Sequence, residues 1–520
     1  MFFCENCGTK LPLDARFCEN CGHPVPQLND PLNQVNDHSN IYLFSEYNWR
    51  DQWGKVSKKS DISLGILLTN TKNCSEQSAF RDAMEKYIAY KAGEGIFYFV
   101  LDMANEKVCQ KNGSSALKDT LDVLKQIYRV FIPTYLMIVG DRNVIASAKW
   151  ENGARDSDQY VDSDLPYITL DMTSPWEGQR YHFEQSVCVA RIPSSAQAGF
   201  TEACIYFQNA MERSNRLNDS IYGFSLSAEI WDPISRKIHA DAMTNGIYFT
   251  SPPKGVSEFE RNLPLVSGKI PNLLYFNLHG SRNEEFWYGQ IKNTFPTAFS
   301  PKCLKNLSGT YMIGTEACYG AKPVLTGTES MLSTALKNGC LAFLGSSQIA
   351  YGQLQNPAVD ADIIVGEYLK NLSLGETAGN AYREALVKLH SARTDDTNIK
   401  TMAEFALYGD PSAAIISSSK AYSKSQGCAK ERSIYVSMPD VRRAVQLRLA
   451  KVSTEIAQKL SAFVEQKHPE FANIVPNYYE VKGIGGYQAI YEGCLRAEDP
   501  QILKVYFDDY GTVTDVYVSK

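Results

Sequence analysis

The sequence predicts an α/β protein of two successive α/β subdomains, with a small cysteine-rich module before them and an α+β domain after them. Three observations support this. Short apolar runs alternate with helix-length segments from about residue 61 to 415, which suggests parallel sheets with helices on both faces. Four of the 13 cysteines fall in the first 21 residues, as two copies of CENCG. Beyond a Ser/Lys-rich break at 417–432, an amphipathic stretch is followed by strand-like runs. A chain of 520 residues is too long for one core and should divide into several domains. The boundaries read as 1–26, a linker and lead-in at 27–60, subdomains at 61–215 and 216–425, and a terminal domain at 430–520.

In the first module Cys4 and Cys7 are followed, ten residues on, by Cys18 and Cys21, with Gly8 and Gly22 allowing tight turns. Four thiolates in two such knuckles suit structural, tetrahedral zinc, and so short a segment has few other means of staying folded. Such a closed site has no open position for catalysis. It resembles a zinc ribbon. The polar QLNDPLNQVNDHSN (27–40) reads as a linker.

The first α/β series then runs as strand 63–69, helix 75–93, strand 96–102, helix about 115–129 and strand 133–142. The polar stretch containing DSDLPYITL comes next, then strand 186–195 and a helix over about 197–213. The second series offers strands at 224–231, 273–278, 311–316 and 341–347, and helices near 235–245, 327–338, 358–370 and 376–391. TMAEFALYGDPSAAI (401–415) closes it. In the terminal domain a helix is expected over 439–468, then strands at 478–483 and 487–495 and a hairpin over 501–519 turning at Asp509-Tyr510-Gly511.

Net charge is −6 and pI about 5.8, so no global basic field draws nucleic acid or anionic lipid. No signal-like start and no membrane-length apolar run is present, and the nine cysteines outside the first module are scattered singly. A cytoplasmic chain with free thiols is expected.

The chemistry concentrates in two runs. LLYFNLHGS (273–281) ends its strand in His279-Gly280, and YMIGTEACYG (311–320) places Cys318 just past its strand. Parallel strands deliver such groups to one rim at their carboxyl ends. A thiol and an imidazole there suffice for nucleophilic attack on an acyl group, with Cys318 as nucleophile and His279 as acid–base. Gly280, lacking a Cβ, lets a backbone N–H approach and form an oxyanion hole with the Cys318 N–H. Glu316 either orients the imidazole or faces solvent. No phosphate-binding glycine motif follows a strand.

PTYLMIVGD, DSDLPY, SVCVARIP, LLYFNLHGS, IGTEACYG, AFLGSS and FALYGDPS, in this order over about 61–415, resemble the gingipain-type cysteine peptidases. These belong with clostripain, separase and metacaspases among caspase-like folds. The resemblance implies an endopeptidase of two stacked α/β subdomains, the second catalytic, and the same oxyanion pair. Relatives that cut after Arg or Lys carry an acidic pocket residue near the strand opening the catalytic half, which here points to Glu229 or Asp232 in AEIWDP. The chain departs from gingipains in its zinc ribbon, its different terminal domain and its lack of an export signal. Those departures favour controlled intracellular cleavage of a protein or peptide substrate, with a regulatory protein partner at the zinc ribbon or the C-terminal domain. A catalytically silent adaptor on the same scaffold and a transpeptidase are the alternatives.

Overall fold

The computed structural model describes residues 63–105, 117–416 and 446–520, apart from 129–132, 179–180, 182, 184–186, 215–219, 308, 323–328, 355–356, 393–394, 483–484 and 497–498. It also describes residues 2–3, 10–11 and 20–21 near the start. The linker, the 417–432 break and the cysteines at 4, 7 and 18 lie outside the described residues.

A ten-stranded sheet forms the centre. In chain order its strands are β1 (Ser63–Thr69), β2 (Ile96–Asp102), β3 (Tyr135–Val139), β4 (Cys188–Ile192), β5 (Gly223–Ala228), β6 (Gly246–Ser251), β7 (Leu273–Asn277), β8 (Tyr311–Thr315) and β9 (Cys340–Ser346). The short β10 (Tyr351–Gly352) belongs to a second sheet, and β11 (Phe405–Gly409) returns to the first. The spatial order is β6-β5-β7-β8-β9-β11-β4-β3-β1-β2. Most of these strands are buried along their whole length, as in β3, β4, β5, β7, β8 and β9. That explains why they read as continuous apolar runs rather than alternating ones.

The expected pair of stacked subdomains is instead one continuous sheet. β11 joins the halves, antiparallel to β9 and parallel to β4. Side chains close the seam. Tyr87 in the first half donates to Asp410 at 2.6 Å, and Tyr206 donates to the Leu341 carbonyl at 2.7 Å. The buried Arg191 guanidinium pairs with Asp164 at 2.6 and 2.7 Å and also donates to the Gly140 and Ile145 carbonyls. A buried charge is tolerable only when paired and hydrogen-bonded in this way.

β6 and the helix Val256–Ser267 were not anticipated from the sequence; Pro264 within that helix and the preceding Pro252-Pro253 obscure the pattern. Among the described residues, the helix expected over 439–468 runs over Thr454–Lys467, capped by Ser453, whose hydroxyl accepts from the Ile456 N–H. Ahead of it Gln446–Leu449 forms a strand, β12, with only Leu447 turned inward. Gln446, Arg448 and Leu449 face solvent. β13 (Asn477–Lys482), β14 (Tyr487–Arg496), β15 (Asp499–Phe507) and β16 (Val513–Ser519) complete an antiparallel sheet ordered β10-β16-β15-β14-β13-β12. Leu460 and Val464 of the helix pack on Ala489, Leu503, Val505 and Phe507 of this sheet. Its edge member β10 comes from the second α/β half, so the C-terminal module is stitched into the large domain. Among the described residues no helix is long and apolar enough to cross a membrane.

Candidate active site

β7 and β8 are parallel neighbours, with Leu273 opposite Met312 and Phe276 opposite Thr315. Their carboxyl ends therefore emerge side by side. The Glu316 N–H still donates to the Phe276 carbonyl at 2.9 Å, which extends the pairing past the strand. Gly280 then lies against the main chain of Cys318: a Cβ on Gly280 would sit 1.6 Å from the Cys318 carbonyl oxygen. Only glycine permits that approach. The structure thus sets the main chain at Gly280, the residue after His279, against that of Cys318 at one rim.

Each reactive side chain has its own support. His279 is buried, and its main chain exchanges hydrogen bonds with Tyr288 at 2.9 and 2.8 Å. Its Nε2 lies 2.5 Å from Gln290 Oε1, while Gln290 Nε2 donates to the Lys292 carbonyl. The amide oxygen must therefore accept, so the imidazole proton belongs on Nε2 and Nδ1 is left as the basic nitrogen. Trp231 packs on the ring at a centroid distance of 4.4 Å. The Cys318 sulfur accepts from the Ala350 N–H at 3.2 Å. Burial pushes the Cys318 thiol far above its ordinary pKa, against the small opposing effect of that hydrogen bond. Tyr319, the next residue, has φ of 54°, a left-handed conformation costly for a bulky side chain and characteristic of functional turns.

A polar brace holds the two loops. Arg282 donates to the Tyr319 hydroxyl at 2.6 Å and to Asp158 at 2.8 Å, and the Tyr319 hydroxyl donates to Asp158 at 2.7 Å. Asp158 also accepts from the Ile349 N–H and from Lys400, so one carboxylate of the first half ties together the histidine loop, the cysteine loop and the 347–350 turn. Coulombic attraction from Lys400, together with these hydrogen bonds, overcomes the burial penalty and holds Asp158 below the usual carboxylate range.

The acidic residues behave differently from the expectation. Glu229 is exposed, and Asp232 pairs with Arg236 one turn along a surface helix. The AEIWDP turn reaches the site through Trp231 instead. Glu316 does not face solvent. It is fully buried and accepts from the Tyr275 hydroxyl at 2.5 Å and from the Lys520 ammonium. Burial, reinforced by Asp362, pushes Glu316 up to about 8 despite the opposing Lys520 charge. Asp362, in the first turn of the helix Asp360–Ser373, accepts from Lys520 Nζ at 2.5 Å and from the Gln353 and Val359 N–H groups.

Lys520 enters from β16. Ser519 pairs with Tyr351 and Val518 with Gly352. The Lys520 N–H donates to the Ala350 carbonyl at 3.0 Å, and its carbonyl accepts from the Cys318 N–H at 3.2 Å. Gln290, Asp362, Gly352 and Lys520 were not singled out from the sequence; only Trp231 and Glu316 lay in stretches already marked.

Residues 3–25 match the family model of a zinc-ribbon domain. Among the described residues of that stretch, Phe2–Phe3 pairs antiparallel with Lys10–Leu11, and Cys21 is exposed on a turn. Four cysteines in two Cys-x2-Cys pairs within that match are the donor set a structural zinc ion takes. No curated protein matches the chain. A solved structure named "Structure of Protease" is similar over 89% of this chain and 91% of its own, at 14% identity and a TM-score of 0.46.

Proposed function

We propose that the chain is a cysteine endopeptidase acting on protein or peptide substrates, with Cys318 as nucleophile and His279 as acid–base. The observation carrying this reading is the apposition of His279-Gly280 and Cys318 at adjacent strand ends, with the imidazole fixed by Gln290 so that one nitrogen is basic. Once the thiol is uncovered, Nδ1 takes its proton and the sulfur attacks the substrate carbonyl carbon. The oxyanion forms at the Cys318 N–H. The C–N bond breaks as the imidazolium returns the proton to the amine, and water hydrolyses the thioester to give the acid and the free thiol. The zinc ribbon and the C-terminal module regulate or recruit, and the setting is intracellular.

The test is cleavage of a peptide library by purified wild-type, Cys318→Ala and His279→Ala proteins. Loss of about 10²-fold or more in either variant is expected. Equal cleavage by all three would sink the proposal. The buried thiol favours a second reading, a silent adaptor on this scaffold. Partner capture unchanged in both variants, with no turnover by wild type, would select it.

A further inference from the structure

Lys520 is held as a bound substrate residue would be. Its side chain and those of Glu316 and Asp362 have no exposure, and its ammonium touches both carboxylates. That ammonium also lies 5.1 Å above the centre of the Trp231 ring, a cation–π arrangement. Removing a lysine ammonium from water costs several kcal/mol unless partners of this kind replace the solvent. Here they are supplied by three different elements of the catalytic half. Gly352 makes the room: a Cβ there would meet Lys520 Cε at 2.0 Å and Nζ at 2.5 Å. The main chain is equally provided for. β16 adds to the edge of β10 as an extended peptide adds to a sheet. The lysine carbonyl meets the N–H of the nucleophile, and the lysine N–H meets Ala350, whose own N–H holds the sulfur.

We propose that Glu316, Asp362, Trp231 and Gly352 form a lysine-selective first pocket, and that the segment Val513–Lys520 fills it in cis as a substrate-like plug that must leave before another peptide enters. This deepens the cysteine-peptidase reading and rests on it. The plug is anchored by its module. Lys504 of β15 pairs with Asp396 at 2.7 Å, Tyr517 of β16 donates to Asp395 at 3.2 Å, and Ser281, two residues from His279, donates to Asp499 at 3.1 Å. Any event that loosens these contacts peels β16 from β10 and uncovers Cys318.

The experiment compares full-length wild type with Lys520→Ala, and with Lys520→Met as a length-preserving second variant in case alanine unfolds the site. Two readouts are taken: the rate of Cys318 alkylation by iodoacetamide, mapped by mass spectrometry, and cleavage of peptides differing only in Lys, Arg or Leu before the scissile bond. Emptying the pocket should raise both alkylation and lysyl-peptide cleavage by at least about tenfold, since occupancy lowers apparent affinity by the competent fraction. Adding Glu316→Gln should lower lysyl cleavage while sparing the leucyl peptide. Unchanged alkylation in both variants overturns the plug. Leucyl or arginyl peptides cut as fast as lysyl ones overturn the lysine pocket while leaving the peptidase reading intact. Faster alkylation with no cleavage of any peptide is the failure of the peptidase reading itself.

Discussion

In the proposed peptidase Gln290 acts through one hydrogen bond to His279, so on that reading its removal should alter catalysis more than folding. For Gln290→Ala we expect kcat to fall by about 10-fold or more, with KM and thermal stability little changed. Restoration by Gln290→Glu, which keeps an acceptor at that position, separates positioning from packing. Glu316 gives a second prediction. Its carboxyl titrates at about 8 in the folded chain against an ordinary 4.5, so between these values the folded protein holds a proton that the unfolded chain has released. Its contribution to stability is fully present below pH 4.5 and is lost as pH rises through 8. Burial raises Glu404 in the same direction. Melting temperature should therefore decline from pH 5 to 8, and Glu316→Gln should make that decline shallower; an unchanged slope would remove Glu316 as a cause. At this scale the sequence singled out Cys318 and His279 because each comes within three residues of the end of a buried strand. Gln290 and Asp362 were hidden because their partners lie far along the chain or on other elements.

Among elements, the strands of the large sheet were the most readable, since burial on both faces leaves an uninterrupted apolar run. β1 and β2 agree with the expected bounds residue for residue. β12 was misread because one inward leucine among exposed neighbours is a weak signal beside the helix that follows. The boundary of that helix lies in its cap. Ser453→Ala removes the acceptor for the Ile456 N–H and should cost about 1 kcal/mol, read as a shift in the denaturation midpoint of the C-terminal module. The brace around Asp158 belongs to this scale too, because it links loops from three separate strands. Asp158→Ala would leave Lys400 and Arg282 short of a buried carboxylate, a loss of about 3–5 kcal/mol in urea unfolding.

Across the whole molecule, joined sheets replace separate blocks. The sequence pattern marks where each series of strands starts and stops, but edge-to-edge joining depends on β11 reversing direction, and no local periodicity encodes a partner strand. The same holds for β10, two residues that tie the C-terminal sheet to the second α/β half. Asp396 is the natural place to test that connection: it accepts from Lys504 and Gln488 within the interface. Asp396→Ala strands the Lys504 ammonium and should detach the module first. Hydrogen exchange should then quicken across 446–520 before it changes in β7 and β8, whereas simultaneous loss would show that the sheets unfold as one unit.

The bare backbone at Gly352 turns the cleft beside it into a length gauge. The straight stem of Lys520 carries its ammonium to both carboxylates, and its end lies so close to Gly352 that a Cβ there would overlap it. If the proposed pocket takes lysine, linear primary amines should occupy it, and Gly352→Ala should weaken their binding by crowding the amine end of the stem.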